Sequence, residues 1–446
     1  MNRKTHYSRR EFLKASVVAT GLAALGPRAY GRVVGANERV HFGVIGTGVM
    51  GSGHVRGLKR QQEKLNVDVL QTCDVYRKRA EKAAQVIGSP ATAVQQHEEV
   101  LGNPKVDAVL IATPDHWHAR IAIDAIQAGK HVYLEKPMCH TIEQALELAK
   151  VEQEHKDKIR VQVGVQATSF ELLDKIHEYI RSKGIGKLVM IHSSYNRNNS
   201  AGPWRDYGDW ENFKDPQEAH LDWKKWLGHA FTCAGQQLAP ERAWDPRRFF
   251  QFRCYWDYSG GAATDLLFHT LAQLLKATGL QYPERVVASG GIWVFDRTHA
   301  IPDKRGGGPD DREVPDMYST TLDYPGGPTI TLVSCLDNDT SAPVIVAGHD
   351  ATIRIRADDP EAPQEAVIEP QGKGRNKEKV VLKAEPGSQG KHRANFVQAM
   401  RDPNVQLYCP VDLGLRTNVG ITLGVRSFCE RKVYAWNAKE QKAESS

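Results

Sequence analysis

The residues of this 446-residue chain that could do chemistry fall in four short groups. Lys136 stands in Glu135-Lys136-Pro137, directly after the apolar run His131-Val132-Tyr133-Leu134. A proline after the lysine pushes its backbone towards an extended conformation and stiffens the turn. An ammonium held there can polarise a substrate hydroxyl. Asp265 and His269 are four residues apart, a spacing that puts carboxylate and imidazole on one helix face within mutual reach. Imidazole titrates near neutral pH and can take a hydroxyl proton. Gly46-Thr47-Gly48-Val49-Met50-Gly51 is a G-x-G-x-x-G turn, and Asp74 follows 23 residues after Gly51. That is where a dinucleotide-binding fold places the acid that accepts from the adenosine ribose hydroxyls.

Such groups need elements to position them. Val40, Phe42, Val44 and Ile45 form the short apolar run of a buried parallel strand, which leads straight into the glycine turn. In that turn Gly46 permits the tight corner, Gly48 lets backbone approach a pyrophosphate, and Gly51 lets the next helix pack on the strand. Val67–Thr72 alternates as a second strand, Tyr76–Gly88 reads as a helix, and Val106–Ala112 is a third apolar strand. The stretch Thr113-Pro114-Asp115-His116-Trp117-His118 reads as a loop at that strand's carboxyl end, where open α/β sheets bind ligands. A helix over Ala119–Ala128, a strand over His131–Leu134, a helix over Thr141–His155 and a strand over Arg160–Val165 complete an alternating series. It predicts an α/β, doubly wound parallel sheet over residues 37–165.

Beyond 165 the pattern changes to an α+β region, residues 166–446. A helix is expected over Phe170–Lys183 and a strand over Leu188–Ser194. Asn196–Asp257 reads as a long irregular stretch holding six of the nine tryptophans (204, 210, 223, 226, 244 and 256). Flat apolar faces there suit a sugar ring, although most of these rings are expected to be core. A helix over Asp265–Thr278 precedes strands at Arg285–Phe295, Tyr318–Tyr324, Thr329–Leu336, Val344–Ala347 and Thr352–Arg356, which predict one large, mostly antiparallel open sheet. Gly306–Gly308 and Gln371–Lys379 read as exposed loops; helices at Arg393–Met400 and Leu413–Cys429 precede a polar tail.

Residues 1–36 read as an export signal rather than as fold. Ser8-Arg9-Arg10-Glu11-Phe12-Leu13-Lys14 is a twin-arginine motif, followed by the apolar run Ala15–Leu25, too short to span a bilayer. The twin-arginine translocase is thus an expected partner, with a periplasmic or otherwise exported location and no membrane anchor after cleavage. The signal holds seven of the 59 basic residues and one of the 53 acids, leaving 52 of each. The balance gives no reason to expect nucleic-acid binding. The seven cysteines are widely spaced without a C-x-x-C pair, so neither a metal site nor a disulfide framework is expected.

Together, Gly46/Gly48/Gly51, Glu135-Lys136-Pro137 and Asp265/His269 resemble the glucose–fructose oxidoreductase and inositol dehydrogenase family, in the same order and spacing. The stretches Thr113–His118, Leu221–Gly228 and His392–Phe396 look like an exported branch of it, and Ala167 stands where many relatives carry arginine. The resemblance implies hydride transfer between a nicotinamide cofactor and a sugar or polyol, with Lys136, Asp265 and His269 as catalytic residues. Lys136 and His269 would share the acid/base work, and Asp265 would orient His269 or a substrate hydroxyl. The cofactor contacts expected are Gly46, Thr47, Gly48, Val49, Met50, Gly51, Asp74, Thr113, Pro114, Asp115, His118, Glu135, Lys136 and Gln166. Asp74 would repel a 2′-phosphate and favours NAD; Arg77, Lys78 and Arg79 could hold that phosphate, which keeps NADP as the alternative, but read better as an exposed helix start. Some relatives are NAD-dependent glycosidases working through a transient 3-keto sugar, which is the competing activity; a non-catalytic sugar-binding protein is a third reading. An exposed sheet face would suit a homo-oligomer.

Overall fold

The computed structural model describes residues 38–182, 184–198, 203–205, 213–217, 219–296, 311–356, 364–372, 378–385 and 387–445. The export motif, Trp210 and Gly306–Gly308 lie outside the described residues.

The first half alternates strand and helix: β1 (Val40–Ile45), α1 (Val49–Leu65), β2 (Val67–Cys73), α2 (Arg77–Ile87), β3 (Thr92–Val94), α3 (His97–Leu101), β4 (Ala108–Ile111), α4 (Asp115–Gln127), β5 (His131–Glu135), α5 (Ile142–His155) and β6 (Val161–Gly164). The strands form a six-stranded parallel sheet in the order β3-β2-β1-β4-β5-β6. Every residue of β4 and β5 is buried, the continuous apolar character of a sheet covered on both faces. The expected strand at 106–112 is shorter, and edge strand β3 was not anticipated, being only three residues with two of them exposed. The segment read as a loop over 113–118 is helical from Asp115. Pro114 fixes φ at −60° just ahead of the helix and Asp115 complements the helix dipole, so the turn starts at once.

The second half contributes α6 (Glu171–Arg181), β7 (Leu188–Ser194), two short helices α7 (Trp223–Leu227) and α8 (Pro246–Phe250), the small pair β8 (Thr232–Cys233) and β9 (Gln236–Gln237), and α9 (Phe268–Thr278). Then come β10 (Arg285–Gly291), β11 (Met317–Asp323), β12 (Thr329–Cys335), β13 (Val344–Gly348), β14 (Ala351–Arg356), β15 (Gln364–Pro370), β16 (Val380–Ala384), α10 (Gln389–Arg401), α11 (Val411–Glu430), β17 (Tyr434–Asn437) and β18 (Lys442–Ser445). Ten strands form one sheet, β16-β15-β14-β13-β7-β12-β11-β10-β17-β18, antiparallel except where β7 meets β12. In β11 and β12 buried and half-buried residues alternate, so one face packs on α11 and on the turn Ala263–Leu267 and the other is open. The polar tail is a hairpin, β17–β18, that extends the sheet. The strand expected to reach Phe295 stops at Gly291, because the amides of Trp293, Val294 and Phe295 turn onto the Asp316 carboxylate instead of a neighbouring strand.

The two halves share a core. One cluster of buried side chains runs from Ile45, Ile111 and Leu134 to Ile191, Leu271 and Leu332. Helix α10, late in the chain, packs into the first sheet: Phe396 is 1% exposed, with its ring 6.3 Å from Phe42 and 5.7 Å from Tyr133. Emptying that position should cost about 3–5 kcal/mol, the range for a buried phenylalanine reduced to alanine. Phe396→Ala is therefore expected to lower the urea midpoint sharply. A loss under about 1 kcal/mol would mean that α10 only leans on the sheet.

Candidate active site

A cavity of about 820 Å³ opens at the carboxyl ends of β1, β4 and β5 and is closed on its far side by the second half of the chain. Gly46 has φ +82°, and Gly51 lies so close beneath it that a Cβ there would be 1.8 Å from the Gly46 carbonyl oxygen. Only a glycine lets α1 start so tightly against the strand. No side chain caps α1, leaving the first-turn amides at the cavity edge, where Gly48, Val49 and Met50 line the wall. At Gly48 an added Cβ would come no closer than 3.8 Å to a described residue outside its own turn, the nearest atom being Arg79 Nη1. These residues fit a dinucleotide pyrophosphate.

Asp74 lines the same cavity. Its carboxylate accepts from the Thr47 amide at 2.8 Å and from the Tyr76 amide at 2.9 Å, so it also holds the glycine turn in shape. Arg79 is not an exposed helix-start residue as expected. It is half-buried and its guanidinium lies over the rings of Phe249 and Phe250, at 4.8 and 5.5 Å.

At the other end of the cavity stand Lys136, Asp265 and His269. Lys136 Nζ donates to Asp265 Oδ1 at 2.6 Å and to the Asp265 carbonyl at 2.9 Å. Arg253 Nε donates to the same Oδ1 at 2.8 Å. Burial alone would push the Asp265 carboxyl up, but the charges of Lys136 and Arg253 and their hydrogen bonds outweigh it and hold the group ionised, well below the usual carboxylate range. Asp265 and His269 do not share one regular α-helix: Ala263–Leu267 is a π-helical turn, a form often found at functional sites. The carboxylate thus meets Lys136 and Arg253, so the expectation that it orients His269 gives way to a lysine pair. Burial and the Lys136 charge push the His269 imidazole down to about 3, against the opposing pull of Asp265 and Glu135. The ring is neutral at neutral pH and free to accept a proton.

Of the other expected contacts, Thr113, Pro114, Asp115, Glu135 and Gln166 line the cavity. Thr47, Gly51 and His118 do not border it. Thr47 is turned onto Asp74, Gly51 is covered by the turn, and His118 is 1% exposed. The two His118 ring nitrogens reach the carbonyls of Pro137 (2.6 Å) and Thr113 (2.9 Å), bracing the lysine turn against the neighbouring loop. Residues not anticipated are Arg253, Arg197, Tyr195, Trp204, Phe249 and Phe252 on the far wall. Their sequence signal was only the aromatic and arginine content of the irregular stretch, which does not say which rings face the cavity. Trp204, Trp223 and Trp226 are buried, and Trp223 stacks on Trp226 at 4.8 Å, so the core reading holds for most of the segment.

Residues 40–164 match the model of an oxidoreductase family with an NAD-binding Rossmann fold. Over these residues the chain is similar to that family. The chain is 29% identical over 203 residues to inositol 2-dehydrogenase 3 of Saccharopolyspora erythraea, covering 46% of this chain and 58% of the relative. It is 35% identical over 164 residues to glycosyl hydrolase family 109 protein 2 of Shewanella sp., covering 32% and 36% of the two chains. The matches thus span no more than about three fifths of those relatives. Two solved structures share the fold over nearly the whole length. The WlbA dehydrogenase of Bordetella pertussis, in complex with NADH and UDP-GlcNAcA, has TM-score 0.62 and 17% identity over 90% of this chain and 99% of its own. Levoglucosan dehydrogenase, with NADH and levoglucosan, has TM-score 0.62 and 17% identity over 92% and 99%.

The buried imidazoles give the protein a pH signature. His116, His269 and His392 are each pushed down to about 3, chiefly by burial. Unfolded, each would bind a proton near 6.5, so between about pH 6.5 and 3 the unfolded chain carries more protons and stability falls on acidification. The expected slope is on the order of 1.4 kcal/mol per pH unit for each ring around pH 5. Urea unfolding from pH 7.5 to 5 should show this loss; constant or rising stability would show that the rings are protonated in the folded protein.

Proposed function

We propose that this protein is an NAD-dependent oxidoreductase acting on a CH–OH group of a sugar or polyol. The observation that carries it is the meeting, in one cavity, of the glycine turn and Asp74 with Lys136, Asp265 and His269. Gly46, Gly48, Val49, Met50 and Asp74 hold the nucleotide, with Thr113, Pro114, Glu135 and Gln166 towards the reacting end. Bound NAD supplies a hydride acceptor there. The neutral His269 ring takes the proton of the substrate hydroxyl. The Lys136 ammonium, fixed by Asp265, faces the substrate oxygen as negative charge grows on it. Asp265 stays ionised through the reaction and keeps Lys136 from drifting.

A second reading is supported by the glycosyl hydrolase relative: the same site oxidises a sugar transiently to its 3-keto form, the aglycone is eliminated, water adds in its place, and the sugar is reduced again. Release of an aglycone without net change in bound cofactor distinguishes it. The protein is exported by the twin-arginine route, a reading that rests on Ser8–Lys14 and the apolar run after it. Val189, Met190 and Val287 are exposed on strands of the ten-stranded sheet, which favours a homo-oligomer.

Replacing a positioned acid/base group typically costs ~10²–10⁴-fold in rate. Lys136→Ala and His269→Ala should keep NAD bound yet reduce it at least 100-fold more slowly than wild type when a polyol panel led by myo-inositol is added, a floor set by that range. Wild-type rates in His269→Ala would place the base elsewhere. For export, Arg9→Lys with Arg10→Lys should leave the precursor in the cytoplasm, seen by fractionation; normal export of the double variant would rule out the twin-arginine route.

A further inference from the structure

Behind Lys136 a line of buried polar side chains leads to helix α10. Glu135 ends β5 and is 3% exposed. Its Oε2 accepts from the Lys136 amide at 3.2 Å, and its Oε1 lies 2.6 Å from His54 Nε2 on α1. His54 is fully buried, and its other nitrogen, Nδ1, is 3.3 Å from Arg393 Nη1 on α10. A guanidinium can only donate. Nδ1 must therefore accept, and the single ring proton of a neutral His54 sits on Nε2, facing Glu135. The Gln389 amide is also near Nε2, at 3.4 Å, but the Glu135 oxygen is much closer.

Arg393 is costly to keep where it is. It is 4% exposed, burial lowers its tendency to hold the proton, and the carboxylate whose field reaches it is Glu135, beyond the imidazole. Its Nε donates to Gln61 Oε1 at 3.0 Å. The guanidinium lies across α1 at Gly57, where an added Cβ would be 2.4 Å from Nη2 and 2.6 Å from Cζ. The same network holds the Glu135 carboxyl low: burial raises it, but the His54 hydrogen bond and the nearby Lys136 charge outweigh that.

We propose that Arg393 is a positioning residue for Lys136: it fixes the angle of the His54 ring, His54 fixes the Glu135 carboxylate, and that carboxylate holds the Lys136 main chain beneath the Lys136–Asp265 pair. The proposal rests on the role given to Lys136 above. It places a residue of the last third of the chain in control of the lysine turn, with no contact of its own to the cavity. Without the guanidinium, Nδ1 loses its donor and the ring is no longer held at the angle that presents Nε2–H to Glu135. The carboxylate, bonded to Nε2–H, follows the ring and turns away from the Lys136 amide.

The test uses the full chain loaded with NAD and four variants. Arg393→Ala removes the donor, Arg393→Lys keeps a group that can only donate, Gly57→Ala pushes the guanidinium aside while leaving it in the protein, and His54→Gln assigns the His54 ring signals in ¹⁵N spectra. Expected for Arg393→Ala and Gly57→Ala are unchanged NAD content, a kcat on the best polyol of the panel lower by ~10–100-fold as for other supporting partners of a site, and KM within about threefold. Arg393→Lys should recover most of the rate. The His54 Nδ1 signal should be that of a hydrogen-bonded acceptor in wild type and should shift in Arg393→Ala, while Nε2–H persists in both. A raised KM with intact kcat, wild-type kcat in both Arg393→Ala and Gly57→Ala, or an unchanged His54 pattern in Arg393→Ala would overturn the proposal and leave Arg393 as a packing residue. If no polyol reduces the wild-type cofactor, the reading of Lys136 fails, and the ring-nitrogen spectra still decide the relay: a shifted Nδ1 signal on removing Arg393 supports it and an unchanged one refutes it.

Discussion

Asp265 lies between two cations that reach it from different parts of the chain, Lys136 at the end of β5 and Arg253 in the turn after α8. A buried carboxylate of this kind is stable only while both partners stay in place, since taking one away from a buried pair costs about 3–5 kcal/mol. Lys136 belongs to the parallel sheet and Asp265 to the π-helical turn ahead of α9, so docking of the two halves and satisfaction of the charges are one event. The shared core and the return of α10 into the first sheet serve the same end. They fix the distance across the cavity, and the ion trio then fixes the angle at which the ammonium is presented.

Much of the nucleotide half was legible because its constraints are local. A strand, a glycine corner and a helix start occupy twelve consecutive residues, Val40–Gly51, and backbone sterics there leave glycine as the residue that fits. Strand identity followed from continuous apolar runs, which only a sheet covered on both faces tolerates. The limits of those elements were less clear: Asp115–His118 look like a loop until it is seen that Pro114 and Asp115 are a good helix start.

The far wall of the site was not legible, for a different reason. Arg253, Arg197 and the phenylalanines reach the cavity through irregular backbone whose course depends on packing, and no period in the sequence encodes it. The same holds for the partner of Asp265. Spacing of four suggested His269, whereas the π-helical turn and the cross-sheet lysine decide otherwise. Of the late strands missed, β16 and β18 are the two edges of the sheet and are largely exposed, so charged residues interrupt any apolar alternation.

In the proposed reaction this cavity brings a nicotinamide and a carbinol carbon together beside Lys136 and His269. The most direct measurement follows a single deuterium. A polyol that turns over, labelled on its carbinol carbon, is mixed with the NAD-loaded protein for one turnover, the protein is denatured, and the released dinucleotide is analysed by mass and NMR. Deuterium on nicotinamide C4 is the expected result, and it should be absent in Lys136→Ala over the same interval. Substrate conversion with no deuterium on the nicotinamide, or no dinucleotide in the loaded protein, would contradict it.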